Sequence, residues 1–164
     1  MNRHSEDFMS RPMIAYVEAS WHADILAAGK DAFAQRMLEK GIDANRIHYF
    51  TVPGAFEIPL VARRLAASGR YTAIAAAAFV VDGGIYRHDF VAGTVVDALM
   101  RVQLDANVPV FSMVLTPHHY HEHATHAQFF ADHFAIKGRE LAEACTQQLH
   151  NLDALDRYRV EALT

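Results

Sequence analysis

Residues 73–81 read AIAAAAFVV, and residues 82–84 that follow read DGG. Nine apolar residues closed by a polar, glycine-containing break are the pattern of a strand covered on both faces. Nine is also too few to cross a bilayer. Toward the N-terminus the spacing predicts a helix over Ile58–Ala67, with Pro59 in its first turn and Gly69 beyond its end. Before it, Ile47–Val52 reads as a strand closed by Pro53-Gly54. Leu26, Phe33 and Met37 recur at helical spacing ahead of Gly41, and Met13–Val17 reads as a buried strand ending near Ser20. Toward the C-terminus a helix is expected from about Asp89 to Ala106. Val91, Val95, Ala98, Leu99 and Val102 form its apolar stripe, and Asp97, Arg101 and Asp105 are spaced for i,i+4 pairs. Val108–Leu115 reads as a fourth strand ended by Thr116-Pro117. A last helix begins near Thr125, carries Phe130, Phe134, Leu141, Cys145 and Leu149, and continues helical past Leu152. Four β-α units with short connections specify a parallel sheet with helices on both faces and right-handed crossovers. Residues 1–164 are read as one domain, with residues 1–12 expected to be a disordered N-terminal extension.

Composition narrows the function classes. With 164 residues the chain can bury roughly 70% of the surface exposed on unfolding, so it needs no covalent staple. A single cysteine, Cys145, rules out an internal disulfide, and a cytoplasmic home is expected. The opening MNRHSEDFMSRP has charges but no apolar core, so it does not read as a secretory signal. Fifteen Lys+Arg against 19 Asp+Glu leave a net charge of −4, which argues against a nucleic acid or an anionic membrane as partner.

In an open parallel sheet, ligands bind beyond the carboxyl ends of the strands. The four loops there are Ser20-Trp21-His22, Pro53 to Glu57, Asp82 to His88, and Pro117 to His126. They hold the only Trp and five of the six histidines that crowd between His118 and His133. A planar ligand and proton chemistry would use such residues. Loops that are merely polar and glycine-rich would look the same, and both readings stay open.

Several chemistries fail on residues. No GxGxxG follows the first strand, and no GxSxG elbow exists. A Walker A loop would need glycine where Asp24 stands and Ser or Thr where Asp31 stands. Cys145 falls in an amphipathic helical stripe, where it reads as core and not as a nucleophile. The run PHHYHEHATH, residues 117–126, invites zinc, with His119, His121 and His123 sharing one face if extended and His119, His123 and His126 if helical. Thr125 stands where HExxH would need its second histidine, and solvated histidines fit as well, so no metal ligand is assigned.

The heptapeptide PGAFEIP, residues 53–59, follows a short strand and opens a helix, and it resembles the signature of the lumazine synthases. The similarity extends over about residues 13–150. AFVVDGGIYRHDFV (78–91) stands in the place of that family's glycine-containing active-site loop, NVPVFSMVLT (107–116) in that of its fourth strand, and Lys137-Gly138 in its last helix. WHAD (21–24), GGIYRHDF (83–90) and LTPHH (115–119) are similar to the type II branch. The resemblance implies a three-layer α/β/α sandwich with a four-stranded parallel sheet and flavodoxin-like topology. It implies pentamers with sites shared between neighbouring subunits, paired into decamers in the type II branch. The implied reaction, in riboflavin biosynthesis, condenses 5-amino-6-(D-ribitylamino)uracil with 3,4-dihydroxy-2-butanone 4-phosphate to 6,7-dimethyl-8-ribityllumazine, phosphate and water. It uses neither metal nor redox cofactor. A flavin- or lumazine-binding protein of the same fold with weak or lost catalysis is the alternative.

Carried over residue by residue, the resemblance sets Trp21 against the pyrimidine ring and Ala55, Phe56 and Glu57 along the pyrimidine and its ribityl chain. Phe79, Val80 and Val81 would hold the pyrimidine edge through backbone groups, and Gly84 and Ile85 would approach the phosphate. Ser112 and His126 would come from the neighbouring subunit. Two positions depart from the family pattern. Counted without gaps, the family's catalytic histidine falls on Arg87, with His88 one place later. His can shuttle protons near neutrality whereas Arg stays charged, so His88 is assigned the proton and Arg87 the phosphate. The family's phosphate-binding arginine falls on His126, and a histidine is a cation only below about pH 6.5. KM for the phosphorylated substrate is therefore expected to climb between pH 6 and 8. His118, His119, His121 and His123 receive no role from the resemblance.

Overall fold

The computed structural model describes residues 12–82, 87–117 and 124–162. Residues 1–11, Gly84, Ile85 and the histidines at 118, 119, 121 and 123 lie outside the described residues.

Four parallel strands form the sheet: β1 (Ile14–Ala19), β2 (Ile47–Val52), β3 (Ala73–Phe79) and β4 (Val110–Leu115), in the order β2-β1-β3-β4. Its helices are α1 (Ala23–Glu39), α2 (Ile58–Ala67), α3 (His88–Ala106) and α4 (Ala124–Glu161). Period-two alternation sorts β3 between two cores. Ala73, Ala75, Ala77 and Phe79 pack with α1 and α4, while Ile74, Ala76 and Ala78 pack with α2 and α3. The expected sandwich of helices on both faces of a parallel sheet is what forms. Alanines suit β3 because both faces are roofed by helices, and Ala75 leaves room beside Tyr16 of β1, its register partner.

Boundaries of β2 and α2 coincide with the sequence reading. Three expectations need correction. β3 ends at Phe79 and not at Val81, because pairing with β1 stops at Ala77 and β4 ends opposite Phe79; only the Val80 N–H continues, donating to Leu115 O at 2.9 Å. β4 begins at Val110 and not at Val108. Asn107 ends α3 in the left-handed conformation (φ 53°), and Pro109, which has no N–H, contributes only its carbonyl, to Ile74 N at 2.9 Å. Asp105 is not joined to Arg101; it reaches Arg63 on the adjacent α2 at 3.6 Å.

Two contacts fix α1. Its Lys30 donates to Glu18 of β1 at 2.6 Å, a carboxylate that is otherwise buried. On its other side α1 crosses α4 where Gly29 meets Gly138: a Cβ on Gly138 would stand 2.1 Å from the Gly29 carbonyl oxygen. Only glycine permits that approach.

Candidate active site

The chain runs from β1 outward to β2 and then returns past β1 to β3, so strand order reverses between β1 and β3. A crevice opens at the carboxyl ends of such a pair. The described residues that follow β1, β2 and β3 stand at that end of the sheet.

The first two loops are tied together. Ser20 N–H donates to Val52 O and Ser20 Oγ to Pro53 O, both at 2.8 Å. Trp21 stands out at 70% exposure, which excludes a core role. Its six-membered ring lies over Gly54, where an added Cβ would come within 3.8 Å of the ring and 3.2 Å of Glu57 Oε2. Gly54 is extended (φ −144°), so room rather than backbone conformation calls for glycine. Ala55–Glu57 forms a 3-10 turn leading into α2. Within it Glu57 Oε2 accepts the Gly54 N–H at 2.9 Å, and Glu57 N–H donates to Gly54 O at 3.2 Å. Phe56 is 67% exposed, so packing into the core is not its role. Trp21, Phe56 and Glu57 therefore form an exposed aromatic and carboxylate ledge beside the crevice.

Phe79 and Val80 are buried and Val81 is half-buried, so what they offer a ligand is backbone. The Phe79 ring is part of an aromatic row. His22 meets it edge-on at 5.4 Å, Phe130 packs against it at 5.1 Å, and His126 lies 4.8 Å from Phe130. His22 was read only as part of the loop after β1 and given no role of its own. It precedes α1 in the left-handed conformation (φ 58°, ψ 42°), uncommon for a side chain with a Cβ.

Beyond β3, His88 opens α3, and its ring Nδ1 and backbone N both lie 2.7 Å from Asp82 Oδ1. Asp82 was read only as part of the strand-ending loop; the Asp-to-His spacing was its one available signal. The His88 backbone N–H first, then its ring, hold the Asp82 carboxyl below the usual carboxylate range. Arg87 turns toward Asp89, donating from Nη2 at 2.7 Å and from Nε at 3.2 Å, and its guanidinium lies 4.9 Å from the Phe90 ring centre. Ser112 is not brought to this crevice. It lies exposed on edge strand β4, in register with Ala76, and its Oγ accepts the Val114 N–H at 3.2 Å. Beside it an open groove of about 280 Å³ runs between β4 and α4, past Phe111, Leu115 and Lys137. Cys145 is fully buried, and burial pushes its thiol up to about 12, so no thiolate nucleophile is present.

A family model described as 6,7-dimethyl-8-ribityllumazine synthase matches residues 12–153. The chain belongs to that family. The expectation of a lumazine synthase, a transferase of riboflavin biosynthesis, is thereby met. Among curated relatives, the 6,7-dimethyl-8-ribityllumazine synthase of Rhodococcus erythropolis is 57% identical over 142 residues, 87% of this chain and 92% of that protein. A 6,7-dimethyl-8-ribityllumazine synthase 2 of Pseudomonas syringae pv. tomato is 51% identical, covering 88% of this chain and 85% of its own length. Another protein of that name, from Bradyrhizobium diazoefficiens, is 51% identical, covering 90% of this chain and 88% of its own.

Proposed function

We propose that this lumazine synthase works at the β1/β3 crevice, condensing 5-amino-6-(D-ribitylamino)uracil with 3,4-dihydroxy-2-butanone 4-phosphate. Family membership over residues 12–153 is the observation that carries the reading. The substrate amines are themselves nucleophiles, so the lack of a reactive Cys145 is no obstacle. An amine attacks the ketone and water leaves to give an imine; proton removal expels phosphate; the second nitrogen closes the ring and a further water departs. What the protein supplies is orientation, proton transfer and a partner for the phosphate.

In this scheme Trp21 stacks on the pyrimidine, and Ala55, Phe56 and Glu57 line it and the ribityl chain. Backbone groups of Phe79, Val80 and Val81 hold its edge. His88 carries protons, and Arg87, with Gly84 and Ile85, takes the phosphate. Ser112 and His126 complete a neighbour's site. Support for a shared site comes from Ser112, which lies on an exposed edge strand away from its own chain's crevice. The assembly is a pentamer, paired into a decamer, in the cytoplasm; no helix among the described residues is long and apolar enough to cross a membrane.

The test is lumazine formation from the two synthetic substrates with chelator present. Turnover well above the uncatalysed background is expected. His88→Ala should lower kcat by about a hundredfold, within the usual range for general acid–base catalysis. Arg87→Ala should instead raise KM for the phosphorylated substrate. No turnover above background, with a tight flavin complex, would replace this reading by a flavin-binding one.

A further inference from the structure

Asp82 and His88 are six residues apart, one beyond the end of β3 and the other the first residue of α3. A single carboxylate oxygen, Asp82 Oδ1, sits 2.7 Å from both the backbone nitrogen and the ring Nδ1 of His88. The first contact satisfies an N–H that the start of a helix leaves without an intrahelical partner. The second has a chemical consequence. An ionised carboxylate can only accept hydrogen bonds, so Nδ1 must carry the proton, and a neutral ring then has its lone pair on Nε2. Asp82 is the more exposed partner, with 60% of its side chain accessible against 24% for His88. Arg87, next to His88 in the chain, is engaged with Asp89. Arg87 also helps to keep the Asp82 carboxylate ionised.

We infer that Asp82 is a positioning residue for His88, fixing the orientation and tautomer of the imidazole so that Nε2 is the nitrogen that exchanges protons with the reactants. This rests on the reading of His88 as the proton carrier. Asp82 touches no reacting atom in this scheme and acts only through the ring. Removing its charge leaves the ring free to turn or to hold its proton on Nε2, where it cannot serve as a base.

Kinetics of lumazine formation on Asp82→Asn, Asp82→Glu, His88→Ala and the double variant Asp82→Asn/His88→Ala test the inference. The asparagine keeps an oxygen for the His88 backbone N–H but can donate to Nδ1, favouring the wrong tautomer. Expected is a fall in kcat of about tenfold or more for Asp82→Asn, with both KM values within about twofold of wild type. Asp82→Glu should recover part of the loss, and Asp82→Asn should cost nothing further once His88 is alanine. Full kcat in Asp82→Asn beside an impaired His88→Ala would overturn the role of Asp82 while leaving His88 in place. An equal loss from Asp82→Asn in the His88→Ala background would show that Asp82 does not act through the ring. Wild-type kcat in His88→Ala would remove the reading of His88 itself, and the inference with it. Nitrogen NMR of histidine-labelled wild-type protein at pH 8, with His88 assigned by its absence from His88→Ala, gives a readout independent of turnover. The proton is expected on Nδ1, and finding it on Nε2 would overturn the inference whatever the kinetics.

Discussion

Trp21 offers the cleanest separation of binding from folding, because most of its surface is exposed and little of the core depends on it. Stacking of an aromatic side chain on a heterocyclic base is worth about 1–3 kcal/mol, so Trp21→Ala should raise KM for the pyrimidine by roughly tenfold. Its urea midpoint should stay at the wild-type value, as for most surface substitutions. A lowered midpoint with unchanged KM would return Trp21 to a structural role. The ledge it forms with Phe56 and Glu57 was legible in PGAFEIP and WHAD, since short motifs carry their own backbone geometry. Asp82 and His22 were not legible. Each matters through a partner elsewhere in the chain: the first residue of α3 for Asp82, the Phe79 ring for His22.

At the scale of elements, α1 and α4 make the contact that most depends on sequence detail. Gly138→Ala would drive a methyl into the Gly29 carbonyl, a backbone group that no side-chain rotation can move aside. The helices must part, at a cost of roughly 1–3 kcal/mol or more, readable as a lower urea midpoint. An unchanged midpoint would refute the close crossing. Charges reinforce the same pair of helices. Arg36 of α1 and Lys40, just past its end, hold Glu143 of α4, while Arg36 and Arg139 hold Glu39. Hydrogen bonds from Lys40 and then Arg36 lower the Glu143 carboxyl, and one from Arg36 chiefly lowers that of Glu39. On acidification the unfolded chain therefore takes up protons at these positions before the folded one does. Their stabilisation is present above about pH 4.5 and is lost as pH falls through the depressed folded values. Tm should drop on that acid limb, and Glu143→Gln should lower Tm at pH 7 while making the limb shallower; an unaltered limb would show that the network contributes nothing. Helical and strand periods predicted these elements closely, α2 and β2 to the residue. Where the reading slipped, the length of the partner strands decided the end of β3, and Asn107 and Pro109 decided the start of β4.

For the whole molecule the prediction concerns the proposed assembly, which sedimentation reads directly. A species near ten times 18.3 kDa is expected. A stable monomer would remove the proposed shared site and with it the proposed roles of Ser112 and His126. The sequence by itself determined the layered α/β architecture, the family and the loops to which the proposed site is assigned. Those depend on local periodicity and contiguous motifs, and each is written within a few residues of chain. Only the tertiary structure decided which faces of β3 meet which helices, why Gly138 must be glycine, that Trp21 and Phe56 stand exposed, and that Asp82 holds the His88 ring. Those facts join residues across turns and strands, and the distances between them are set by packing, which no local pattern records.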